Sequence, residues 1–144
     1  MSVDFEYLNL AEVNPEIPPI PPGEYNFRVV GAERNTFTYK KDNPDRGIEA
    51  GQESSYVRLN LSIVDDPEQS GRRVSVSVFP GPQGARGLRL VQDATGVAQE
   101  GTLDEWLNAL VVARATFAAL LSNGVDKSGK PTNDVRLTTA KPTA

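Results

Sequence analysis

The chain has 144 residues with 15 basic and 19 acidic side chains, a net charge of −4, and neither cysteine nor histidine. That length suits one domain able to bury its own core, and the missing cysteines rule out disulfides and thiolate metal sites. Losing histidine removes the commonest general acid–base and metal ligand, so the composition points away from an enzyme, and no cofactor or metal is expected.

Residues 1–24 carry Asp4, Glu6, Glu12, Glu16 and Glu24 and no base, which leaves fourteen acids against fifteen bases in residues 25–144. The acidity that would disfavour a nucleic-acid binder therefore belongs to an N-terminal arm. The opening MSVDFEYLNL has neither the basic start nor the apolar stretch of a signal peptide, and no apolar run reaches the roughly 18 residues of a membrane span. A soluble, cytoplasmic protein without a membrane partner is expected. Val3, Phe5 and Tyr7 alternate with Asp4, Glu6 and Leu8, a pattern open to an edge strand, a docked arm or a mobile tail. Five prolines in AEVNPEIPPIPPG, residues 11–23, bar a helix or an inner strand. Residues 1–22 are thus read as an acidic, proline-rich arm and 23–144 as the domain.

After Gly23, Tyr25, Phe27 and Val29 alternate with Asn26, Arg28 and Val30, predicting a first strand from Tyr25 to about Arg34. The polar stretch NTFTYKKDNPDRGIEAGQESS reads as a long loop, and such loops are usually functional or disordered. YVRLNLSIV (56–64) and RVSVSVF (73–79) alternate around the turn DDPEQSG, predicting an antiparallel hairpin. GARGLRLVQDATGV has helical spacing with Gly96 as its cap. Thr102, three residues before Glu105, opens a second short helix through Leu110 in a capping-box pattern. VVARATFAALL suits a helix or a strand by periodicity. The turn Asp126–Gly129 and the strand signal at Val135 and Leu137 demand a partner, so 112–121 is assigned as a strand. The predicted fold is mainly β: a five-stranded, OB-like antiparallel barrel with a helical insert between strands three and four.

The segments PPGEYNFRVVGAE, YVRLNLSIVDDPEQSGRRV, GTLDEWLNALVVARATFAALL and GKPTNDVRLTTAKP span most of the domain. Together they resemble a family of phage-encoded, OB-fold-like single-stranded DNA-binding proteins. Gly71-Arg72-Arg73-Val74 and Asn133-Asp134-Val135 stand where that family's hairpin turn and last strand carry Gly-Arg-x-Val and Asn-x-Ile/Val. The resemblance implies a protein of DNA replication or recombination that coats single strands with little sequence preference in an infected bacterial host. Replication or recombination proteins and further copies of the chain are implied partners. Bacterial single-strand binders usually end in an acidic partner-recruiting tail, whereas this chain ends TTAKPTA.

Single-strand binding needs aromatic faces for bases and cations for phosphates. Phe37 and Tyr39 beside Lys40 and Lys41 supply both, although the two rings equally suit packing on the barrel. Tyr56 and Arg58 on strand two share an outward polar face with Arg73 and Phe79 on strand three; that face equally suits a solvated sheet surface. Lys127 and Lys130 sit in the loop between strands four and five. Trp106 reads as helix core, and Asp65 and Asp66 as turn residues before Pro67. The alternative function is a structural β-barrel module of a virion or other assembly, docking through its arm.

Overall fold

Alternation of apolar and polar side chains does set in at Gly23. A computed structural model, which describes residues 19–143, has strands β1 (Gly23–Thr38), β2 (Glu53–Val64) and β3 (Arg73–Val78), helices α1 (Pro82–Thr95) and α2 (Leu103–Val112), and strands β4 (Thr116–Val125) and β5 (Pro131–Lys141). Residues 1–8, where a strand, a docked arm and a tail were all open, lie outside the described residues. The packed core reaches back to Ile20, which is buried, and the Tyr25 hydroxyl donates to the Pro21 carbonyl at 2.7 Å.

All five strands join one antiparallel sheet in the order β3-β2-β1-β4-β5. β1 is the shared strand. Gly23–Arg28 pair with β4, whereas Asn26–Thr38 pair with β2. After Arg28 the chain therefore leaves β4 and continues with β2 alone, which bends the sheet around its core. The expected strands and helical insert are present, but hydrogen-bonded pairing stops at β3 and β5, so the sheet is not closed into a barrel.

Phe27, Phe117, Leu59, Leu61, Ile63 and Leu121 fill the inner face, with Phe27 and Phe117 ring centroids 6.0 Å apart. The helices cover this face: α1 lies against β5 and α2 against β1. Gly87 is buried in α1, where an added Cβ would stand 3.1 Å from the Leu137 Cβ, so glycine lets the helix sit directly on β5. Trp106 is buried in α2 and its indole N–H donates to the Val97 carbonyl at 2.7 Å, which satisfies its polar end. No helix among the described residues is long and apolar enough to cross a membrane.

Local signals translate directly. Thr102 caps α2 by accepting the Glu105 N–H at 3.2 Å. Gly96 ends α1 in the left-handed region, its N–H donating to the Gln92 carbonyl. Asp66 Oδ1 accepts the N–H groups of Glu68 and Gln69, so this carboxylate closes the β2–β3 turn. Three boundaries differ from expectation. β1 and β2 extend as a hairpin to Thr38 and from Glu53, so the loop shrinks to residues 39–52. α1 begins at Pro82. Residues 112–115 finish α2 and turn, with Arg114 at φ 50°, and the strand assigned to 112–121 starts at Thr116.

Candidate nucleic-acid interface

A strict period of two would carry Phe37 and Tyr39 into the core, in phase with Phe27 and Val29. A β-bulge prevents this. Val29 pairs with Leu61 but Gly31 pairs with Asn60, so Val30 is an extra residue and every later side chain changes face. Ala32 and Arg34 turn toward the helices, where Arg34 pairs with Asp104 of α2 at 3.5 Å. Glu33, Asn35 and Phe37 turn outward, opposite Arg58, Tyr56 and Ser54. The register thus places Phe37, with Tyr39 packed against it, on the sheet's outer surface rather than in its core.

There the rings meet. Phe37 lies 4.9 Å from Tyr39, 6.1 Å from Tyr56 and 5.6 Å from Phe79, and Tyr56 stacks on Phe79 at 5.3 Å. These centroid separations fall in the range of favourable aromatic pairs, about 4.5–7 Å. Phe79 is 55% exposed, and the other three rings are partly exposed. Four aromatic rings thus form one open patch on a face otherwise made of Arg58, Asn60 and Ser62 on β2 and Arg73, Ser75 and Ser77 on β3. Arg58 is two residues along β2 from Tyr56, about 7 Å, whereas Arg73 is six residues from Phe79, about 20 Å.

The segment that presents Tyr39 is held in place. Tyr39 N–H donates to the Gln52 carbonyl at 3.0 Å, and its own carbonyl accepts the Gly51 N–H at 2.8 Å. Beyond it, Asn43 and Ile48 form an isolated bridge around the short turn Pro44–Arg46, and Asp42 Oδ1 accepts the Ala50 N–H at 2.6 Å. Lys40 and Lys41 follow Tyr39 in the chain on this extension and are exposed.

Lys127 and Lys130 are not brought to the patch. Gly23 pairs with Leu121, so the β4–β5 turn lies beyond the Gly23 end of β1, and the rings lie at the Thr38 end. Asp126 organises that turn, accepting from the Ser128 hydroxyl and from the Ser128 and Lys130 N–H groups at 2.6–3.0 Å. The Ser128 hydroxyl, with these backbone donors, holds the Asp126 carboxyl below its ordinary range.

Sequence reasoning missed a groove of about 700 Å³ between the unpaired edges of β3 and β5. Phe79 stands on it, and Arg46 and Arg136 line it from the β1–β2 extension and from β5. Its walls are brought together only by the bending of the sheet, so no run of sequence signals it. Among the described residues, no three carboxylates converge in a way that would hold a metal. No protein-family model and no curated protein matches the chain.

Proposed function

We propose that this protein binds single-stranded DNA on the outer face of β1–β2–β3, with little sequence preference, by stacking bases on Phe37, Tyr39, Tyr56 and Phe79 while Lys40, Lys41 and Arg58 meet phosphates. The observation that carries the reading is the four-ring patch, partly exposed on a polar sheet face with Arg58 two residues from Tyr56 along β2. Every base has a π-face, so stacking tolerates sequence and contributes about 1–3 kcal/mol per base. The open order β3-β2-β1-β4-β5 with a helical insert between β3 and β4 supports an OB-like arrangement, a class in which strands two and three and the first loop make the binding face. The phage-type sequence motifs support a role in coating strands during replication or recombination within a bacterial host. Catalysis has no part in the reading.

Anisotropy of labelled oligo-dT and oligo-rU at low and moderate salt tests it. Binding that weakens as salt rises is expected, as phosphate neutralisation releases counterions. No binding of either oligomer at low salt overturns the reading and leaves the assembly module.

A further inference from the structure

We infer that a bound single strand does not end at the aromatic patch but continues past Phe79 into the groove between β3 and β5, where Arg46 and Arg136 hold its phosphates. This path rests on the single-strand reading above. Phe79 belongs to both features: its ring contacts Tyr56 and Phe37, and it also lines the groove. A strand stacked on that ring has the groove as its next surface. The groove is large enough to take a small ligand group, within the roughly 300–1,000 Å³ of ordinary sites.

Its chemistry suits a sugar–phosphate chain. Arg46 and Arg136 line the groove from two different elements, and neither is engaged in an ion pair with another described residue. A planar guanidinium fork matches phosphate oxygens. Gly81 and Gly84 form part of the floor. Nothing lies within 4 Å of a Cβ built at Gly81, so backbone is open to close approach there, whereas a Cβ at Gly84 would collide with the Phe79 carbonyl. Ser77 and Thr138 add hydroxyls from the two strand edges. The lining thus offers cations, hydroxyls and bare backbone to a sugar–phosphate chain, and Val76, Val78, Val135 and Leu137 add apolar surface to it.

The test compares oligo-dT of about 4 and about 12 nucleotides, lengths within the span of OB-type sites. Arg46→Ala/Arg136→Ala should leave affinity for the short oligomer near that of the parent and lower affinity for the long one. It should also flatten the slope of log affinity against log salt for the long oligomer by about 1.4, at roughly 0.7 per neutralised phosphate. Thr138→Glu, which puts a carboxylate on the groove wall, should act in the same direction. Arg86→Ala/Arg89→Ala removes the same charge from α1 and should change neither slope. Melting curves verify that each variant is folded. If the parent binds the long oligomer and the groove variants match it in affinity and salt slope, the path is wrong and the aromatic site stands. An equal loss on both lengths, or the same loss in the α1 variant, reduces the arginines to general attraction and also overturns the path. A parent that binds neither length overturns the single-strand reading itself.

Discussion

Two phenylalanines show how position decides what a ring does. Phe27 is fully buried between the sheet and its covering layer, and its truncation to alanine should cost about 3–5 kcal/mol of stability. Phe79 is more than half exposed. Phe79→Ala should melt close to the parent but bind single strands about 1–3 kcal/mol more weakly, with an unchanged salt slope, because stacking moves no counterions. Lys40→Ala/Lys41→Ala should do the converse, flattening the slope by about 0.7 for each phosphate no longer neutralised. Thermal melting and salt-dependent anisotropy on the same proteins read both quantities; a Phe79→Ala protein with parental affinity takes the ring out of the site. Asp126 supplies a pH signature. Its carboxyl is held below the ordinary range by the Ser128 hydroxyl first and by backbone donors after it. A lowered folded-state pKa stabilises above the unfolded pKa, and that contribution is lost as pH falls through the folded value. Asp126→Asn removes the titration, so its melting temperature should fall less than the parent's over that acidic window. Parallel curves would show that the turn carbonyls and hydroxyls hold the loop without the charge.

Among the elements, β1 decides the site, and Val30 decides β1. Deleting Val30 removes the extra residue: Gly31 then follows Val29 directly, strict alternation carries Glu33, Asn35 and Phe37 outward, and every residue beyond keeps the face it now has. The deletion protein should therefore fold and bind oligo-dT close to the parent, with Phe37 still on the face of Tyr56. A deletion protein that folds but no longer binds oligo-dT would show that the site needs the local bend of the bulge and not only the face on which each ring lies. The bulge was hard to read because Val29 and Val30 are both apolar, so neither side of the chain announces the break; Glu33 at a core phase was the available clue. Residues 35–38 and 53–55 read as loop for another reason. They extend past the main core, where no face is uniformly apolar, so a paired strand shows no alternation. β4 was ambiguous because Ala118 is buried as well as Phe117 and Ala119, which erases a two-residue period. By contrast, the Thr102 cap, the Gly96 stop and the Asp126 turn are built from residues within a few positions of each other, and each was legible. Phe37, Tyr39, Tyr56 and Phe79 were found as types in plausible places; their convergence needed the register of three strands.

For the molecule as a whole, the boundary between arm and domain has a chemical edge. Removing residues 1–18 takes away four acids and brings the net charge from −4 to about zero, while leaving buried Ile20 and the Pro21 carbonyl that accepts from Tyr25. That protein should melt like the parent and bind single strands more tightly at low salt, with the gain shrinking as salt screens the charges. Removing residues 1–22 also deletes Ile20, and a further loss of about 2–5 kcal/mol in stability should follow, as for truncation of a core side chain. Calorimetry and anisotropy on the two truncations separate the electrostatic share of the segment from its packing share. Equal affinity of parent and shorter chain at low salt would show that the acids of the arm do not oppose binding.

The single tryptophan gives these experiments an internal optical standard. Trp106 is held inside the helical layer with its indole bonded to the Val97 carbonyl, whereas the stacking surface is furnished with tyrosine and phenylalanine alone. Excitation at the red edge of the protein band therefore lights a fluorophore shielded from solvent and from a ligand on the strands. Its emission should shift to longer wavelength when the helices come away and hold steady when an oligomer arrives. Loss of grip and loss of shape can then be told apart in one cuvette, without attaching a dye to the protein.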